Sequence, residues 1–266
     1  MKSLRYLVVM VGAVSITALG LDAADTWRGS TGTLLSQLIG SHADEGCLEG
    51  MVPVAVGQTF RCIDRYEAST AADCTIKDPA GPRDTETNLM TTDCRPVSEV
   101  GRLPWRFVAR EDAARLCARA GKRLPSADEW YTAALDTPDE PCLRGGTLRS
   151  AGTVSTCLSP HGAHDLVGNV WEWVADDVID GMWEGRFLPE TGYVTQVDRA
   201  GIATVTSSST ANRALDQAYF WSQTSGAYGM IRGGFYGSRA DAGVVSVHAA
   251  TPPSFTGEAV GFRCVK

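Results

Sequence analysis

The sequence predicts a loop-rich α+β domain, and three observations lead there. The 266 residues are 44% hydrophobic and 21% charged, the balance of a globular chain rather than a disordered or multi-span membrane one. A content of 28 glycines and 12 prolines works against long helices, so a helix bundle is disfavoured. The eight cysteines, an even number, can staple a fold that has little regular structure. A formal net charge of −7 without a Lys/Arg run argues against a nucleic-acid partner, because phosphate binding takes concentrated positive charge.

The first elements define the compartment. Met1 to Arg5 is short and basic, Tyr6 to Leu21 is uncharged, and small residues follow at Ala23 and Ala24. This is the order of a secretory signal peptide, with 1–23 as the signal and 24–46 as a leader carrying a short helix around Thr33 to Ile39. An uncleaved anchor would need about 20 apolar residues, longer than this run. The first cysteine is Cys47, away from the cut, so a lipid-anchored export signal is not expected. The mature chain is expected to be periplasmic or secreted, with no integral membrane domain once the signal is removed.

An oxidising compartment pairs cysteines. Cys74 and Cys94 bracket a polar, proline-containing stretch, and Cys142 and Cys157 bracket a Gly-rich one, so a bridge at the base of each loop is expected. Closing about 15 residues contributes about 3 kcal/mol in the chain-entropy view. Zinc thiolates are the competing reading, but the chain has no CxxC pair.

Residues 47–266 read as one domain. Met51 to Cys62 reads as a hairpin. Ala109 to Ala120 is the clearest helix, because Ala113, Leu116, Cys117 and Ala120 share one face and Gly121 ends it. A second helix starts at Ser126, whose pairing with Glu129 makes a capping box, and it buries Trp130, Ala133 and Ala134. Val170 to Val174 alternates, with Trp171 and Trp173 on one side and Glu172 on the other. Thr204 to Thr210 reads as a flexible surface loop, Gly233-Gly234 as a sharp turn or close backbone approach, and Gly261 to Val265 as a final strand.

Motifs for chemistry are few. There is no P-loop, GxGxxG, GxSxG or HExxH. His161 and His164 form an HxxH beside Asp165, a spacing common by chance. Ser238 and His248 lack a third group for a nucleophile–base relay. In His164 to Glu172, Asp165 and Glu172 supply hard carboxylates, and the Gly168–Asn169 turn can aim carbonyls at a calcium ion. Equally, Asp165 and Asn169 can serve only to cap the turn.

Five segments occur in one order: Arg65-Tyr66-Glu67, GKRLPSADEW (Gly121 to Trp130), DLVGNVWEW (Asp165 to Trp173), IRGGFY (Ile231 to Tyr236) and GFRC (Gly261 to Cys264). From about Cys47 onward the chain thereby resembles the formylglycine-generating enzyme, or sulfatase-modifying factor, family. The resemblance implies a C-type-lectin-like fold of the formylglycine-generating-enzyme type, loop-rich and disulfide-stapled. It implies a bridge from Cys117 to Cys264, which leaves Cys47 with Cys62. It also implies calcium on Asp165, Glu172 and the carbonyls of Gly168 and Val170. A second family calcium site lies in a longer loop and does not carry over to the Cys142–Cys157 stretch.

The family's oxidases hold Cu(I) through two cysteines beyond the GG turn. The matching positions here are Ser238 and Gly243, and no cysteine lies between Cys157 and Cys264. A hydroxyl and a glycine cannot replace two soft thiolates, so copper is not expected and no catalytic residue is assigned. The related sulfoxide synthases hold iron through histidines of an added helical domain, for which the leader is too short and the HxxxHxE pattern absent.

The resulting expectation is an exported, non-catalytic module that binds a protein or glycan through the Cys74–Cys94 and Asp180–Gln217 segments. The alternatives are an oxidoreductase with a non-standard centre, sought first among His164, Asp165, Glu172, Ser238, Arg239 and Asp241, or a structural part of an envelope assembly.

Overall fold

A computed structural model of the chain describes residues 46–54, 60–143, 146–239 and 241–266. The signal peptide, most of the leader and the expected helix at Thr33 to Ile39 lie outside the described residues. Among the described residues no helix is long and apolar enough to cross a membrane.

The N-terminal hairpin pairs β1 (Met51–Pro53) with β2 (Cys62–Asp64). Next come β3 (Ser69–Thr70), helix α1 (Pro82–Met90) and β4 (Pro96–Val97), with β3 and β4 antiparallel. Helix α1 corrects the reading of Cys74–Cys94 as an open contact loop. Its buried residues are Thr85 and Asn88, so it shows no apolar period. Polar bonds hold it instead: Trp105 Nε1 donates to Thr85 Oγ1 at 3.1 Å, and Asn88 exchanges two bonds with the Ile76 backbone.

Helix α2 (Arg110–Arg119) buries Ala113, Leu116 and Cys117, and Gly121 follows it at φ 69°. Helix α3 (Ala127–Ala134) starts on the Ser126–Glu129 capping box and buries Trp130, Ala133 and Ala134. The two-way bond between Ser126 and Glu129 satisfies amide groups that a helix start otherwise leaves open. A short turn, α4 (Asp139–Cys142), follows.

The remaining strands make one nine-stranded sheet. It contains β5 (Trp171–Ile179), β6 (Met182–Trp183), β7 (Arg186–Phe187), β8 (Gly192–Val197), β9 (Ala203–Ser207), β10 (Tyr219–Trp221), β11 (Ala227–Gly233), β12 (Gly243–Thr251) and β13 (Val260–Phe262). The order is β7-β6-β5-β11-β12-β10-β8-β9, and β13 pairs with β5 in parallel. Two readings are corrected here. Thr204 to Thr210 is not simply a loop, since β9 pairs with β8 from Ala203 to Ser207. Asp180–Gln217 is not one open contact loop, since it contributes β6, β7, β8 and β9 to the sheet, with turns and irregular segments between them. The threonines and valine of β9 are β-branched, which suits a half-exposed pleat better than a coil.

One face of the sheet packs on α3, with Trp130, Met230, Phe220 and Val247 in a common core. The region around α2 forms a second cluster with Trp105, Trp173 and Phe262. Arg232 sits among these elements with no accessible surface. Its guanidinium donates to the carbonyls of Ala127, Ala200, Gly201 and Val244 and lies over the Trp130 ring. Burial pushes its pKa down to about 10, which leaves it charged at neutral pH. Four bridges join Cys47–Cys62, Cys74–Cys94, Cys117–Cys264 and Cys142–Cys157.

Candidate functional site

The residues singled out in the sequence fall into three places. The first is a buried polar hub at the start of β5. Glu172 is 1% exposed, because β13 covers the edge of β5 that other strands leave open. Its carboxylate accepts from Arg263 Nε at 2.8 Å and from Trp130 Nε1 at 2.7 Å. Arg263 is fully buried and also donates to the carbonyls of Asp64 and His164. Asp165 accepts from the Gly152 amide at 2.6 Å. Asn169 accepts from the Arg149 amide and donates to Glu67 at 2.6 Å. Asp165 and Asn169 both take positive φ, at 56° and 54°, as turn residues.

The hub therefore gathers the motif residues Glu67, Asp165, Asn169, Glu172 and Arg263. Burial raises the Asp165 carboxyl, and burial together with the Asp165 and Glu172 charges raises Glu67 well above the carboxylate range. His164 stacks on Tyr66 with ring centres 5.1 Å apart. Among the described residues no group of three or more His, Cys, Asp or Glu is placed to hold a metal ion, the HxxH included.

The second place is the turn after β11. Gly233 and Gly234 have φ of 93° and 90°, and a side chain at Gly233 would meet the Leu166 carbonyl at 2.5 Å. Ser238 is a buried turn residue. Its hydroxyl accepts from the Phe235 amide at 3.2 Å and its own amide donates to the Phe235 carbonyl. The Arg239 amide donates to Asp241, and His248 Nδ1 lies 2.8 Å from Thr251 Oγ1. Each member of the Ser238–His248 pairing thus has a local partner of its own.

At Gly243 a Cβ would stand 2.8 Å from Oδ2 of Asp139, so the carboxylate lies against the bare backbone of that position. Burial, then the nearby Asp216 charge, push the Asp139 carboxyl up to about 7. Between the ordinary carboxylate value of 3.8 and about 7, the folded carboxyl keeps a proton that the unfolded one has lost. Asp139 therefore lowers stability as pH rises through that interval. Asp139→Asn is expected to gain stability relative to wild type between about pH 4.5 and about pH 7.5, read from urea midpoints. A difference that does not change with pH would contradict this.

The third place was missed in the sequence. On one face of the sheet Tyr193, Tyr219, Trp221, His248 and Trp171 touch in succession. Ring centres are 5.1 Å apart for Tyr193–Tyr219, 4.8 Å for Tyr219–Trp221 and 5.3 Å for Trp221–His248, the last pair stacked. Trp171 meets the Trp221 edge at 5.9 Å. Strand register makes the stripe: Tyr219 pairs with Tyr193, and Trp221 with His248. Phe220 and Val247, between them, point into the core. Tyr193, Tyr219, Trp221 and His248 are only half-buried. The stripe runs into a cleft of about 350 Å³ walled by Trp171, Phe235, His248, Pro252 and Phe255. The Phe255 side chain is 45% exposed. Burial lowers the pKa of His248, so its ring is neutral at pH 7 and adds a flat, uncharged surface.

Comparison with known proteins agrees with the resemblance in the motifs. Residues 144–266 match the model of the sulfatase-modifying factor enzyme 1-like domain, a span that holds the DLVGNVWEW, IRGGFY and GFRC segments. The chain's architecture is a loop-rich, disulfide-stapled α+β fold. Among solved structures it is similar to the I1 variant of the Major Tropism Determinant, at 15% identity over 82% of this chain and 55% of that one, with a TM-score of 0.44. It is also similar to CarF, at 15% identity over 81% of this chain and 95% of that one, with a TM-score of 0.41. PvdO from Pseudomonas aeruginosa is 16% identical over 81% of this chain and 89% of that one, with a TM-score of 0.40. The chain thus spans about half the length of the tropism determinant. No curated protein matches the sequence.

Proposed function

We propose that this chain is an exported, non-catalytic binding module that takes a glycan along the Tyr193–Trp171 stripe. The observation that carries the reading is the stripe itself. Aromatic rings in contact, half open to solvent on a rigid sheet, offer the flat surfaces on which the C–H faces of sugar rings stack. Tyr and Trp lose little conformational freedom on binding, which favours them at such contacts. The cysteine tally supports the non-catalytic part. All eight cysteines of the sequence are in disulfides, which leaves no thiolate for Cu(I). Ser238 and the backbone of Gly243 serve a turn and a carboxylate contact instead.

The test has two arms. The oxidised protein should be retained on insoluble envelope polysaccharide. It should also leave intact the cysteine of a peptide carrying the CxPxR motif when given Cu(I) and oxygen. An aldehyde on that peptide overturns the non-catalytic reading, and failure of retention overturns the glycan reading. Retention on an envelope protein instead would point to the other class of partner.

The same reading includes a structural calcium ion, held by Asp165, Glu172 and the carbonyls of Gly168 and Val170. The donors are all oxygen, which suits calcium. Glu67, Asp165 and Glu172 are buried together around one guanidinium, Arg263, and the raised Glu67 and Asp165 carboxyls are ones that a bound cation would favour in their ionised form. Millimolar calcium is expected to raise the melting temperature, since a ligand bound only by the native state stabilises it. An unchanged melting temperature would count against the ion.

A further inference from the structure

A second cavity, of about 240 Å³, opens beside Gly243 and is separate from the aromatic stripe. Its polar walls are Tyr131, Asp136, Thr137, Asp139 and Asp216, and its apolar walls include Leu135, Leu215 and Val244. Two features make it more than a cluster of surface acids. Thr137 is only 5% exposed, its amide donates to the Ala134 carbonyl, and its hydroxyl has no hydrogen-bond partner among the described residues. An unpaired hydroxyl inside a protein is costly and rare, so the wall of this cavity holds a polar group waiting for a partner. The second feature is Gly243. Only a residue without a side chain leaves room for the Asp139 carboxylate at this wall, 2.8 Å from where a Cβ would stand.

We propose that this cavity binds the ammonium group of a small primary amine with a short hydrocarbon body. The ammonium carries three N–H donors and one positive charge. Asp139 and Asp216 supply the negative charge and acceptors, and the Thr137 oxygen can accept a further N–H. Leu135, Leu215 and Val244 then cover the hydrocarbon. The Asp139 carboxyl is raised to about 7 by burial and by the Asp216 charge, and a bound ammonium would favour its ionised form by offsetting that negative charge. A divalent metal matches the walls less well. It takes six or more oxygen donors, and half of this lining is hydrocarbon. The proposal is independent of the glycan reading, because no residue of the stripe lines this cavity.

The test is ligand-observed saturation-transfer NMR on the full-length oxidised protein, with n-butylammonium as probe, n-butanol as neutral isostere and calcium as competitor. Binding of n-butylammonium but not of n-butanol is expected. Asp139→Asn should weaken it about tenfold, the effect of removing one partner of a partly buried ion pair, and Asp216→Asn, an exposed partner, by about threefold. Asp216 is exposed, so its variant keeps the test decisive should Asp139→Asn misfold. Absence of n-butylammonium binding, equal binding of n-butanol, displacement by calcium, or unchanged affinity in Asp216→Asn would each overturn the proposal.

Discussion

Replacing Arg263 with methionine is expected to destabilise the protein by about 3–5 kcal/mol. The guanidinium is fully buried and is bonded to both oxygens of Glu172, to the Asp64 carbonyl and to the His164 carbonyl. Methionine fills similar volume and so isolates the loss of charge and hydrogen bonds from the loss of packing. It leaves the Glu172 carboxylate buried near Glu67 and Asp165 with no guanidinium beside it. The charge must then be borne, protonated or hydrated, and each route weakens the native state. The partner experiment is the double variant Glu172→Leu with Arg263→Met. It removes both charges, and it should recover part of the loss, because replacing a whole buried pair with apolar groups costs less than breaking it. Urea unfolding followed by tryptophan emission measures both. A single variant as stable as wild type would show that the hub does not hold β5 and β13 together.

Removing the Cys117–Cys264 bridge by a double alanine substitution should cost about 5 kcal/mol. This bridge spans 147 residues, against 15 and 20 for the others, and the unfolded-chain entropy it removes grows with loop length. It also ties α2 to the strand beside Arg263, so the bridge and the hub brace the same segment. The prediction is read as a drop in the urea midpoint of the non-reduced variant. The Cys74–Cys94 pair is the control, and its removal should cost less. Equal losses would mean that native-state contacts, not loop length, set the contribution.

How much of this was legible in the sequence depends on whether the signal was local. Helices α2 and α3 follow from apolar spacing and from the Ser126–Glu129 box, which act within one or two turns. The Gly233-Gly234 constraint follows from glycine alone. Helix α1 escaped because its buried positions, Thr85 and Asn88, are held by hydrogen bonds rather than by an apolar face. Strand β9 escaped because its Ser/Thr content resembles that of a loop, while its partner β8 decides its state. The motif segments did bring their residues together, but as a bonded hub around Arg263. The aromatic stripe had no local signal. Tyr193, Trp221 and His248 meet only because β10 pairs with β8 on one side and runs parallel to β12 on the other.

The most direct measurement of the account is a pair of binding isotherms, for wild type and Trp221→Ala, against soluble fragments of the envelope polysaccharide. Trp221 is half-exposed, and its ring contacts three neighbours in the stripe. Loss of a central aromatic anchor should weaken binding by at least about tenfold while the fold stays intact by circular dichroism. Equal affinity of the two proteins, with binding present, would place the ligand elsewhere and contradict the stripe as the working surface.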